Sequence, residues 1–361
     1  MPERQNRWSS SWWFFLLFPE GPEGFGPRQL MFTIATRAGQ RIRINGTWLA
    51  GLDRYRQIAN GRDTFEAMTV GWYCDGQAVH DEYVRFAGPA TIDSELGRIA
   101  CHEQGEPNQF VAFQRSRTRP VEMEAVIRIK GATAGFSVWG ALDTPTTSPS
   151  VNVDIDTFFG GSHYIGWRRL NFRGNFELPS GEETLQGVGF FQRVCLNVPV
   201  FPWKWIWAVF PDQSLFTAYV PYLGLNLFRK GYHFFHSNRL EQTTIPIVQS
   251  AKWISPGSTE PIHFNRISAT PILGQGPHPL FTIKATNQQG DHISFTAVPY
   301  GLSRFYIDRP ILGRLVESHW NYNEYMFRME SLIGSINGQT VTRETRGQAF
   351  GSLEYAYGLG L

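Results

Sequence analysis

The chain has 361 residues, a formal net charge of +2 and a charged fraction of only 18%, set against 15% aromatic residues, Gly 36 and Pro 22. That length accommodates two ordinary domains or one large β domain. A nearly neutral chain with no basic stripe argues against nucleic acid as a partner. Three scattered cysteines, Cys74, Cys101 and Cys195, argue against a disulfide framework and fit a reducing, cytoplasmic compartment.

The first element is Trp12-Trp13-Phe14-Phe15-Leu16-Leu17-Phe18. It is too short to span a bilayer, and PEGPEGFGP follows it where a small-residue cleavage site would stand, so it is expected to be a buried first strand. Short apolar-aromatic runs follow, each ended by Gly, Pro, Asn or Asp: QLMFTIAT, RIRING, VEMEAVIRI, GFSVWGAL and VNVDIDTFF, then later SLFTAYVPY, PLFTIKAT and HISFTAVPY. Their β-branched and aromatic content and their lengths predict strands. Asn45-Gly46-Thr47 matches a glycosylation acceptor by its letters but reads as a Gly-containing turn. Two breaks, Asp143 to Ser150 and Leu178 to Glu183, suggest a division into residues 1–184 and 185–361.

The run Phe201 to Phe216 is the most distinctive. Trp203, Trp205 and Trp207 occupy alternate positions between turn signals, so on a strand all three indoles share one face, with Lys204, Ile206, Ala208 and Phe210 on the other. Such a face fits either core filling or the wall of an apolar cavity, to which Tyr219 would add. Leu312 to Trp320 is the one weak helix candidate. The expected fold class is all-β, built from many antiparallel strands.

Candidate chemistry is sparse. Asp154 and Asp156 share a face in Asn152-Val153-Asp154-Ile155-Asp156. Partly desolvated, two such carboxyls would keep one proton and could act as a general acid; the alternative is a solvated strand edge. Arg169, beside Trp167, offers a fork for a carboxylate or enolate, or else pairs with those aspartates. His233 and His236 are three apart and fall on opposite faces of a strand, without the further ligands that zinc needs, so no metal is expected. Glu241 beside Arg239 reads as a buried acid or as a surface ion pair. No phosphate loop, dinucleotide fingerprint or nucleophile elbow is present, so no cofactor is expected either.

Three passages resemble one known group. They are Ser11-Trp12-Trp13-Phe14-Phe15; then Gly187-Val188-Gly189-Phe190-Phe191, leading twelve residues later into Trp203-Lys204-Trp205; and the closing Gly351-Ser352-Leu353-Glu354-Tyr355-Ala356-Tyr357-Gly358. In order and spacing they are similar to the lipocalin-like superfamily of bacterial carotenoid hydratases (hydroxyneurosporene synthases), AttH-type proteins and fungal Diels–Alderases, and more distantly to tocopherol cyclases. The resemblance covers nearly the whole chain. It implies two lipocalin-like β-barrel or sandwich domains in tandem, holding a hydrophobic polyene, terpenoid or polyketide. It also implies a cofactor-independent cyclase, isomerase or hydratase, with Phe191 and Arg193 joining the tryptophans in substrate binding. The alternative is a carrier that leaves its ligand unchanged. The expected partner is the hydrophobic small molecule, collected by peripheral contact with a membrane, and the expected state is a monomer or homodimer. Where the hydratases carry Asp-His-x-Trp, this chain has Gln192-Arg193-Val194-Cys195, so hydratase chemistry does not transfer at those positions.

Overall fold

The computed structural model describes residues 10–37, 42–45, 47–49, 56–58, 62–93, 95–115, 123–140, 150–157, 160–196, 201–224, 244–258, 260–272, 276–311 and 316–358. These residues form two antiparallel sheets. In the first, the strand Ser10–Gly21 lies between Gln29–Arg37 and Gly181–Leu196. The strand Ala132–Trp139 pairs with both Met123–Ile129 and Gly160–Leu178, which closes this sheet on itself as a barrel. The second sheet centres on Trp203–Val209, Phe350–Gly358, Val316–Ile336 and His292–Ile311, paired in that order, and curls into a second barrel. The all-β expectation of two tandem barrels is therefore met.

Pairing passes from the first sheet to the second between Leu196 and Trp203; residues 184 and 185 both lie inside the strand Gly181–Leu196, which pairs within the first sheet. The early hairpin Ile42–Ile44 and Thr47–Leu49 crosses over to the second sheet, where Ile44 pairs with Ile307. Its turn residue Asn45 has φ 46°, accepts from the Tyr306 amide at 2.7 Å and donates to the Arg304 carbonyl at 3.0 Å. The helix expected over Leu312 to Trp320 does not form where it is described. From Val316 the chain is a strand paired with His292–Ile311, and from Trp320 also with Phe350–Gly358, so ladder pairing overrides a weak local helical pattern. The only helix among the described residues is the single turn Arg343–Arg346, capped by Thr342.

Three apolar clusters follow from strand alternation. One fills the first barrel (Trp13, Phe15, Leu17, Phe32, Phe113) and a second fills the other barrel (Ile206, Phe216, Phe281, Tyr325, Phe327). The third lies between the barrels and joins Phe14, Leu16, Phe18 and Trp72 of the first to Trp203, Trp205, Trp207 and Met326 of the second. This explains why Trp12 to Phe18 is continuously apolar: odd positions fill the first barrel while even positions meet the second. The Trp203–Val209 strand is buried on both faces for the same reason. Gly187 is required by close approach, because a Cβ there would meet the Phe18 carbonyl oxygen at 2.1 Å. At Gly301, beside a bulge in the second barrel, a Cβ would meet Val79 of the first at 2.7 Å.

Candidate active site

The face of the second sheet that meets the first barrel can be read as transverse rows, because residues directly opposite in a ladder project to the same side. One row runs Trp205, Glu354, Glu324, Ser303. The row on one side contains Trp207, Ser352 and Met326, and that on the other contains Ala356, Tyr322 and Phe305. Two carboxyl groups thus sit side by side in the middle of an aromatic surface that the first barrel covers. Glu324 is completely buried and Glu354 is 4% exposed.

Their partners are well defined. Glu324 Oε1 accepts from Ser352 Oγ at 3.0 Å, and Oε2 accepts from Trp72 Nε1 of the first barrel at 2.9 Å. Glu354 Oε2 accepts from Trp203 Nε1 at 2.6 Å, and Oε1 accepts from the Tyr322 hydroxyl at 2.8 Å. The Tyr322 oxygen also lies 3.4 Å from Glu324 Oε2. A hydroxyl has one proton to give. When Tyr322 donates to Glu354, its oxygen is left to accept from a protonated Glu324, which links the two acids through one phenol. Burial, then the charge of Glu354, raises the Glu324 pKa to about 8, against the pull of the Trp72, Ser352 and Tyr322 hydrogen bonds. Burial likewise raises Glu354 to about 7, opposed by Trp203 and Tyr322. The pair therefore retains a proton at neutral pH, as an acid must.

Aromatic rings surround this pair. Trp12 of the first barrel stacks on Trp203 at 6.3 Å, and Trp320 lies 5.1 Å from Trp203 and 5.8 Å from Tyr322. Phe14 and Phe190 meet Trp205 edge-on and tilted, at 6.2 and 5.1 Å. Indole and phenol faces present negative quadrupole density, which suits a conjugated chain or a developing cation.

The residues singled out from sequence are distributed over several places. Trp203, Trp205 and Trp207 do share one face, and it is the inter-barrel face. Tyr219, directly opposite Trp205, stands at its exposed rim. Phe191 and Arg193 point the other way, into the first barrel. Phe191 packs at 4.6 Å on Phe15, and the Arg193 guanidinium lies 5.3 Å over the Trp13 ring. Arg169 donates to Gln213 in the turn after the tryptophan strand, at 2.6 Å. Asp154 and Asp156 lie in the strand Ser150–Thr157, opposite His163 and Gly161, but their side chains fall outside the described residues. His233, His236 and Glu241 fall outside them too. Among the described residues no group of His, Cys, Asp and Glu is placed to hold a metal, and no helix is long and apolar enough to cross a membrane. Cys74, Cys101 and Cys195 are buried and free.

Sequence reasoning missed Glu324 and passed over Glu354. The signal was available: Trp320, Tyr322, Glu324 and Met326 alternate as the tryptophans do, with one acid set into an aromatic face.

No family model matches the chain and no curated protein matches it. Solved structures do. An AttH candidate from Nitrosomonas europaea aligns over 98% of this chain and 97% of its own, at 13% identity and TM-score 0.52. CghA, crystallised with Sch210972, aligns over 96% and 88%, at 9% identity and TM-score 0.51. This chain shares their fold. The two-barrel architecture that the resemblance implied is thereby borne out.

Proposed function

We propose that this protein is a cofactor-independent enzyme that protonates a hydrophobic polyene, terpenoid or polyketide intermediate at the inter-barrel face, leading to its hydration, isomerisation or cyclisation. The observation that carries this reading is the Glu324–Glu354 pair: two carboxyls opposite one another in the ladder, sharing the Tyr322 phenol and buried within a wall of tryptophans. Glu324 delivers its proton to an alkene carbon or carbonyl oxygen and becomes a carboxylate. The resulting cation lies against Trp203, Trp205 and Tyr322. Water then adds and surrenders a proton to the dyad, or an internal double bond attacks and the cyclised cation loses a proton there; in both cases the dyad ends as it began. Exclusion of bulk water keeps the cation from being quenched indiscriminately. The shared fold with CghA and the AttH candidate agrees with a small-molecule role without specifying one.

The test is incubation with a polyene and terpenoid extract, followed by mass analysis of what is bound and what is released. A product that is an isomer of its precursor, or heavier by one water, supports the enzyme. A molecule recovered unaltered, with Glu324→Gln binding it equally well, assigns the protein as a carrier.

A further inference from the structure

Two polar atoms on the same face have no hydrogen-bond partner although both are sealed from solvent: Ser303 Oγ and Trp320 Nε1. Ser303 is completely buried and stands directly opposite Glu324 in the ladder, so its hydroxyl shares the dyad's side of the sheet. Trp320, itself partly buried, packs against the inter-barrel cluster, with its ring on Trp203 and Tyr322. The groups that border the acids are paired: Trp72, Trp203, Tyr322 and Ser352 all donate to them. A buried donor left unmade costs about 1–3 kcal/mol, so two on one functional face call for a partner that arrives from outside the chain.

We propose that Ser303 and Trp320 are substrate-positioning residues that bind two oxygen atoms of an elongated apolar molecule. This rests on the reading of the inter-barrel face as a ligand site and adds the substrate class to it. Trp320 carries a donor and no acceptor, so it selects a carbonyl, ether or hydroxyl oxygen. Ser303 both donates and accepts, so it holds a carbonyl, hydroxyl or water oxygen beside Glu324. Trp320 lies four positions along its strand from Glu324, so the two anchors are roughly 13 Å apart measured along the backbone. Between them run Tyr322, Phe305 and Trp203. The substrate is therefore a conjugated or polyketide chain bearing oxygen at both ends of its bound segment, one of them at the reacting end.

The experiment titrates the full chain, by quenching of tryptophan fluorescence, with three probes of similar shape. They are the rigid conjugated dialdehyde dimethyloctatrienedial, the monoaldehyde with a methyl group at one end, and the hydrocarbon with methyl groups at both. The wild type should bind the dialdehyde about 2- to 10-fold tighter than the monoaldehyde, the worth of one hydrogen bond. Ser303→Ala and Trp320→Phe should each lower dialdehyde affinity by a similar factor, and the double variant should bind all three probes alike. Hydrocarbon affinity should not change in any variant, which shows that the face is still folded. Equal binding of the three probes by the wild type, or a dialdehyde preference that survives the double variant, overturns the oxygen anchors while leaving the inter-barrel ligand site standing. If the wild type binds none of them, the ligand site itself falls, and the anchors with it.

Discussion

Glu324 and Glu354 are cross-strand partners, opposite one another in the ladder between Val316–Ile336 and Phe350–Gly358, and a single phenol, Tyr322, touches both. Like-charged groups directly opposite in a sheet are destabilising, and here both are also buried. The arrangement is tolerable because at least one acid stays protonated and each carboxyl oxygen has a donor. Its position on the outside of one barrel, under the cover of another, makes it a functional candidate, because a core would have been built more cheaply from apolar residues.

Glu324→Gln keeps the shape and removes the proton. Turnover should fall by about a hundred- to ten-thousand-fold, the usual worth of a positioned acid, while affinity for the substrate stays within about threefold. Asp154→Asn with Asp156→Asn provides the contrast. If that pair abolishes turnover and Glu324→Gln does not, the acid belongs to the strand Ser150–Thr157.

Stability should depend on pH in a stated direction. Both acids are raised from an ordinary value of 4.5, so the folded chain keeps protons that the unfolded chain has released. Their contribution is complete below pH 4.5, declines as pH rises toward about 8, and is flat above that. The urea midpoint, compared with that of Glu324→Gln/Glu354→Gln, isolates this dependence from His278, whose burial lowers its pKa and pulls the opposite way. A double variant with the same pH slope as wild type would contradict the assignment.

Trp72→Phe deletes the one donor that the first barrel gives to Glu324 while keeping most of the ring. The loss should destabilise the chain by about 1–3 kcal/mol. The hydrogen bond favours the charged carboxylate, so removing it should move the alkaline limb of the pH–rate profile, where the acid loses its proton, to higher pH. An unmoved profile would mean that Trp72 is only packing.

Burial separates the aromatic residues of the tryptophan surface. Trp207 is wholly buried and packs on Phe18 at 4.8 Å, so Trp207→Ala should cost about 3–5 kcal/mol in chemical denaturation. Tyr219, exposed at the rim, should cost within about 0.5 kcal/mol as Tyr219→Ala. Equal losses at the two positions would contradict the inter-barrel placement.

Much of this was legible in the chain itself. Alternation at Trp203, Trp205 and Trp207 specified a strand with one indole face, because the side-chain period of a strand is two residues. The unbroken Trp12 to Phe18 run marked a buried first strand, and the structure shows it buried on both sides. Asn45 was readable as a turn, and its left-handed backbone and two backbone hydrogen bonds agree. Period and turn chemistry are local properties, which is why a linear string carries them. The weak helical pattern at Leu312 to Trp320 misled because ladder pairing outweighs local propensity, and the partner strands lie elsewhere in the chain.

What the string could not carry was which faces meet. Glu324 and Glu354 are thirty residues apart and Trp72 is far upstream of both. Nothing local distinguishes these acids from any other glutamate on a strand. Asp154 and Asp156 drew attention because they are neighbours in sequence. The ladder instead made neighbours of Glu324 and Glu354, and the docking of the first barrel then removed their water. Alternation along each strand was determined by the sequence alone. Register between distant strands, and the burial that turns two carboxylates into a proton-holding pair, came only with the tertiary structure, since desolvation and charge coupling depend on distances in space.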